Sequence, residues 1–271
     1  MTKPDKGEYL DVDGIRTYYV KEGSGHPLLL IHGGAPGACS LVTWKPNIEY
    51  FASSGFTVYA FDQPGYGYTD NPTDYSLEYR AAHAKSFIDK LGLDRFHMIA
   101  QSRGAYIAMK LALEDPRTGR LVSTASGTVA PKGSAESGAL SKKHEAELRA
   151  YTPSLDNIRT ITKKTLFHQE LVTEELVKAR YEMSTGKNYD ANLKRREAPS
   201  PKPITEELRN LKVKTLLVWG KNDQGVTLER ALLLFQLIPN AELHVFDKSG
   251  HWAQWDQTSR FNRIVGDFLK D

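Results

Sequence analysis

The chain has one cysteine, no long apolar run and almost no excess of charge, and each shortage removes a class of protein. Cys39, alone in 271 residues, leaves no intrachain disulfide and no thiolate cage for a structural zinc. No stretch of about 18 apolar residues is present to cross a bilayer, and the opening MTKPDKGEYL lacks the apolar centre of a secretory leader. A cytoplasmic, soluble protein with no membrane partner is expected. Lysine and arginine number 36 against 33 aspartates and glutamates, a formal charge of +3. The basic pairs Lys142-Lys143, Lys163-Lys164 and Arg195-Arg196 are set apart in polar sequence, as on solvated helix faces. They could rim a pocket for an anionic substrate, but they do not form the stripe that nucleic acid requires. The eight histidines include no H-E-x-x-H pair, and neither G-x-G-x-x-G nor a P-loop lysine follows the first strand-like run. Neither a metal nor any other cofactor is expected.

What is present is ordinary globular material, 40% hydrophobic and 25% charged, long enough for one full core with a modest insertion. Residues 16–20 follow the turn signal Asp13-Gly14 as a β-branched and aromatic run, the mark of an early hairpin. Three apolar runs then end in Gly, Pro or small polar residues: PLLLI at 27–31, FTVYAF at 56–61 and FHMIA at 96–100. Such runs suit central strands of a parallel sheet covered on both faces. Between them, Leu77, Ala81, Ala84, Ile88 and Leu91 recur at helical steps, and residues 105–114 continue as a helix directly after the third run. The pattern resumes with strands at 214–219 and 242–246 and helices at 228–237 and 258–269. Strand alternating with helix predicts an α/β fold with a mostly parallel sheet. Residues 131–203 are polar and helical in their best stretches, with a helix over 171–183, and interrupt that pattern. They read as a helical cap on a core built from 1–130 and 204–271.

The sequence Ala100-Gln101-Ser102-Arg103-Gly104 lies where the third run meets its helix. A serine on a tight strand-to-helix turn needs small residues two places to either side, and the turn lifts the hydroxyl above the sheet. It also frees the amide of Arg103 to face a developing oxyanion. A Ser-x-Gly turn can equally be a plain helix cap, so the partners carry weight. His32-Gly33-Gly34-Ala35-Pro36-Gly37 follows the first run, where the amide of Gly34 or Ala35 can supply a second oxyanion donor. Asp223 follows the strand at 214–219 and His251 the strand at 242–246, in the chain order serine, acid, histidine. Histidine suits a proton that is taken and returned near neutrality, and the carboxylate fixes its tautomer. Asp247 shares the strand exit of His251 and is the weaker acid candidate. Asp62 in DQPG reads as a turn carboxylate, His32 as a structural residue, and His244 alternates within a strand.

Together HGGAPGA at 32–38, EELVKARYE at 174–182 and GHWAQWDQTSRFNRIVGDFL at 250–269 resemble the meta-cleavage product hydrolases. These are C–C bond hydrolases of bacterial aromatic catabolism within the α/β-hydrolase superfamily, and the likeness covers nearly the whole chain. The resemblance implies Ser102, Asp223 and His251 as the triad and the amides of Gly34 and Arg103 as the oxyanion site. It makes Arg180 the cap arginine that holds the carboxylate or dienol oxygen of a small organic substrate, and Trp252 the indole beside the histidine. Gln101 and Ala35 are further candidate substrate contacts. The implied reaction is hydrolysis of a 2-hydroxy-6-oxo-hexa-2,4-dienoate to a 2-hydroxypentadienoate and a carboxylic acid, by a homodimer. Read without the family, Arg180 near Glu175 and Glu182 serves a surface ion pair as well as a clamp. The family's elbow is usually Gly-Asn-Ser-Met-Gly-Gly, so Gln101 and Arg103 depart from it. Its Gly-Trp-x-Asn anchor is displaced here, since Trp44 is followed only later by Asn47. A changed anchor can change the substrate, which leaves an esterase or lactonase as the alternative and a non-catalytic ligand-binding protein as a third reading.

Overall fold

The computed structural model describes residues 6–270, and the polar start at 1–5 lies outside the described residues. The strands are β1 (Glu8–Val12), β2 (Ile15–Glu22), β3 (His26–Ile31), β4 (Phe56–Phe61), β5 (Phe96–Gln101), β6 (Thr118–Thr124), β7 (Lys214–Gly220) and β8 (Ala241–Phe246). They form one sheet in the order β1-β2-β4-β3-β5-β6-β7-β8. The expected hairpin joins β1 to β2 through Asp13 and Gly14, at φ 53° and 84°, as a two-residue primed turn requires. β2 pairs antiparallel with β4, and every pairing from β4 across to β8 is parallel.

Successive strand residues point to opposite faces, and here both faces are buried. Leu29, Ile31, Met98 and Ala100 meet α3 (Leu77–Lys90) and α4 (Gly104–Glu114) on one side. The helices before them, α1 (Ser40–Trp44) and α2 (Ile48–Ser53), lie on the other side, where Leu28, Leu30, Val58 and Ile99 pack with Trp44 and Phe51. This two-sided cover is why the runs are continuous rather than alternating in polarity. Ser76 caps α3 by accepting from the Tyr79 amide at 3.1 Å, and the helical-step positions Leu77, Ala81, Ala84 and Ile88 are all buried.

β6 was not legible in the sequence. Its first half, Thr-Gly-Arg, is polar and glycine-bearing, so only a short apolar stretch remains. Pairing with both β5 and β7 makes it a strand regardless. Between β6 and β7 stand four helices, α5 (Ala135–Arg149), α6 (Leu155–Thr165), α7 (Glu174–Glu182) and α8 (Lys187–Glu197). The single helix expected over 171–183 is instead a short turn, Gln169–Leu171, followed by α7. The break occurs because the Thr173 side chain caps α7, accepting from the Leu176 amide at 3.2 Å. After β7 the chain adds α9 (Leu228–Leu237), β8, α10 (Ala253–Asp256) and α11 (Thr258–Lys270), whose Phe261, Val265 and Phe268 complete the core on the α2 side.

Candidate active site

Ser102 sits between the end of β5 and the start of α4 with a φ of 52°, a left-handed value that non-glycine residues seldom take. Neighbours on both sides hold it there. Its amide donates to the Thr124 carbonyl at 2.8 Å and its carbonyl accepts from Ala105 at 3.0 Å. At Gly104 a methyl group would come within 2.5 Å of the His32 carbonyl oxygen, so the helix can start there only without a side chain. The loop after β3 therefore presses directly on the elbow. Among the described residues, no protein acceptor pairs with the amide of Gly34 or of Arg103, and both remain free to meet an oxyanion.

The loops after β7 and β8 are joined to each other: the Asn222 amide donates to the Ser249 carbonyl at 2.9 Å, and Lys221 to Phe246 at 2.9 Å. This brings Asp223 Oδ2 to 2.7 Å from His251 Nδ1. The other carboxylate oxygen accepts from the amides of Gly225 and Val226 at 2.8 and 2.9 Å. Burial would raise the pKa of Asp223, but the imidazole beside it and these two amides hold its carboxyl below the usual range. The acid is thus kept charged behind the ring, and the other ring nitrogen is left for the cavity. Ser102 and His251 line one cavity of about 530 Å³ together with Arg103, His144, Glu145 and Arg149.

The rival groups are occupied elsewhere. Asp247 is exposed and pairs with Lys221 at 3.3 Å. Asp62 is buried and accepts from the amides of Ser40 and Tyr68 at 2.7 and 2.9 Å. His32 receives the Gln63 amide at 3.0 Å, and burial depresses its pKa to about 3, so it is a neutral strut under the loop. Asn47 is also structural, since its side chain donates to Gln254 and Asn262 at 3.2 and 2.7 Å.

Four candidate substrate contacts are not on the wall of the cavity that holds Ser102 and His251. Gln101 is buried with Oε1 against Gly33, because a residue one place before the elbow points beneath the loop. Ala35 lies half-buried on that loop. Arg180 is fully buried, donates to Thr162 Oγ1 at 3.0 Å and to the Pro36 carbonyl at 3.2 Å, and lies 4.8 Å above the Trp252 ring. Burial lowers its pKa to about 10, and its Nε has no partner among the described residues. Trp252 is buried beneath it and stacks with Trp255 at 5.9 Å.

Several contributors had no clear sequence signal. Glu145 on α5 grips Arg103 through both oxygens, at 2.6 and 2.7 Å. His144, its neighbour, places its ring 6.0 Å from that of His251. Asp256 accepts from the amides of Gly250, Phe167 and His168 at 2.8, 3.1 and 3.0 Å, tying the histidine loop to the segment after α6. Behind Gly34, the Tyr66 hydroxyl lies 3.3 Å from its carbonyl oxygen, with Arg195 stacked 3.8 Å over the ring. Burial alone would raise the Tyr66 pKa, but Arg195, Arg80 and Arg103 hold it below its usual value, so the ground behind the Gly34 loop is strongly positive.

A family model described as the α/β-hydrolase fold matches residues 26–258. The 2-hydroxy-6-oxononadienedioate/2-hydroxy-6-oxononatrienedioate hydrolase of Burkholderia vietnamiensis is 32% identical over 99% of this chain and 97% of its own length. The 2-hydroxy-6-oxo-6-phenylhexa-2,4-dienoate hydrolase of Comamonas testosteroni is also 32% identical, over 96% of this chain and 93% of its own. Among solved structures, a meta-cleavage product hydrolase mutant from Pseudomonas fluorescens, complexed with acetates, superposes with a TM-score of 0.87 at 30% identity, covering 98% of both chains. By its fold, its family match and these full-length relatives, the chain belongs to the α/β-hydrolase family, among the meta-cleavage product hydrolases.

Proposed function

We propose that this enzyme hydrolyses the C–C bond of a 2-hydroxy-6-oxo-hexa-2,4-dienoate-type ring-cleavage product, giving a 2-hydroxypentadienoate and a carboxylic acid. The observation that carries the reading is the agreement of full-length relatives named for such substrates with the Asp223–His251 pair and Ser102 on one cavity. The dienol first ketonises, which makes carbon five a competent leaving group. His251 takes the Ser102 proton as Oγ attacks the carbon-six ketone, and Asp223 stabilises the imidazolium. The oxyanion gathers hydrogen bonds from the amides of Gly34 and Arg103. Its collapse breaks the bond between carbons five and six, His251 protonates carbon five, and water then releases the acyl group from Ser102.

The segment 131–203 acts as the cap over this site. Arg180 takes the dienoate carboxylate: its buried Nε is an unsatisfied donor, which a carboxylate entering between Pro36 and Trp252 would satisfy, and a guanidinium matches that geometry. Gln101 supports the oxyanion loop from below rather than touching substrate. The enzyme acts in the cytoplasm as a homodimer. The exposed Leu232 and Phe235, one turn apart on α9, are the apolar surface that supports association, and sedimentation would decide it.

Mixing the protein with a yellow dienoate and following its long-wavelength absorbance tests the reaction. Rapid bleaching is expected, slowed by about 10⁴-fold or more in Ser102→Ala while substrate binding is retained. An unchanged spectrum beside fast turnover of esters or lactones would transfer the assignment to those bonds.

A further inference from the structure

The residue after the nucleophile carries a side chain that the reaction itself does not use. Arg103 extends over the oxyanion loop, and a methyl group at Gly34 would meet its Cδ at 2.6 Å. Arg103 lines the cavity that holds Ser102 and His251, and there its Nη2 donates to both oxygens of Glu145. Burial alone would push the Glu145 carboxyl up and the Arg103 guanidinium down, yet each is held in its charged form by the other. A carboxylate on a substrate can make the same charge-assisted contact.

We propose that Arg103 is a specificity residue for a second carboxylate, carried on the acyl side of the substrate, and that Glu145 is the internal carboxylate this group displaces. The inference deepens the reading above and rests on it for the polarity of the site. With the dienoate carboxylate assigned to Arg180, which does not line this cavity, the space beside Arg103 falls to the group on the far side of the ketone. Among the described residues that wall carries Arg103, Lys142, Arg149 and Arg230 against Glu145 alone among acidic side chains. Exchange of one carboxylate for another conserves the ion pair, and a displaced Glu145 keeps a partner in Arg149, whose Nε already lies 3.2 Å away. The element that bears Glu145 is loosely held. Only Ser137 of α5 is buried, and its anchors are polar: Ser134 to Glu229, Ser137 to Thr227, and Ser141 to the Gly225 carbonyl.

Two paired comparisons test this. Calorimetric titration of the protein with succinate and with butyrate reads binding without turnover. The ratio of kcat/KM for p-nitrophenyl hydrogen succinate over p-nitrophenyl butyrate, and for 6-carboxyethyl over 6-propyl dienoates, reads it with turnover. The succinyl member is expected to lead by about tenfold or more, the ratio to collapse towards one in Arg103→Gln whatever loss is common to both substrates, and to rise about threefold in Glu145→Gln. Glu145→Gln leaves Arg103 in place, so it also serves if Arg103→Gln folds poorly. A wild-type preference for the neutral partner, or equal ratios in wild type and Arg103→Gln, overturns the proposal. Dienoate bleaching without discrimination refutes this subsite alone. Discrimination among esters with no dienoate bleaching refutes the C–C reading and leaves the subsite standing.

Discussion

Ser102 holds its left-handed backbone at a cost of about 1–2 kcal/mol for a side chain in that region. Ser102→Gly is therefore expected to unfold at higher urea, gaining about 1 kcal/mol, while losing turnover; an unaltered midpoint would show that the strain is absent. Two residues on, the opposite sign holds. Gly104→Ala sets a methyl group 2.5 Å from the His32 carbonyl and should cost about 2 kcal/mol or more in the same measurement. Asp223→Asn should keep the fold and lower kcat by about 10⁴-fold, because the amide favours the wrong imidazole tautomer. Ser102, Asp223 and His251 could be singled out as candidates in the sequence because each stands where an apolar run stops, and a parallel sheet gathers such endings at one edge. Glu145 and His144 could not, for they lie within a polar helix whose face towards the cavity has no periodic mark. The side of the loop on which Gln101 lies is hidden for a related reason: alternation around the elbow decides it, and only coordinates resolve that.

Elements differ in how firmly they are held. α3 buries seven residues, whereas α5, one residue longer, buries one. Its amides are expected to exchange with solvent much faster than those of α3, and equal protection along both would show α5 to be held as firmly as α3. Asp256 has the contrary effect, since one carboxylate joins the loop of His251 to the segment that follows α6. Asp256→Ala should lower kcat by about tenfold or more through misplacement of the imidazole and speed exchange at Phe167 and His168, which accompanies a loss of three amide hydrogen bonds. The hairpin, α3, α9 and the central strands were readable because burial on one or two faces writes a period into the residues. β6 escaped because pairing with two neighbours, not composition, makes it a strand. The split of the helix over 171–183 turned on one capping hydroxyl at Thr173.

Across the molecule, acid should be destabilising well before the carboxylates titrate. Six of the eight histidines, His26, His32, His83, His97, His144 and His244, have pKa values lowered, first of all by burial. For His32 the value is about 3, and for His83 and His97 about 4. The unfolded chain binds these protons from about pH 6.5 downward and the folded one does not, so stability is complete above that pH and falls as pH drops towards the folded values. Asp223, depressed, adds a loss at still lower pH, whereas Asp62, raised by burial, works in the other direction. Unfolding free energy measured from pH 6 to 4.5 should decline by more than about 1.4 kcal/mol per pH unit, the slope for one proton; a flat profile would mean that these imidazoles titrate freely when folded.

The β6–β7 ladder bears on how such an enzyme changes over generations. The two strands pair from Arg120 with Lys214 to Thr124 with Val218, although more than eighty residues of chain separate those partners. Recombination could trade or resize the whole helical excursion at that seam without unpicking a single rung of the sheet, so descendants of one ancestor can diverge in diet while their chemistry is inherited intact.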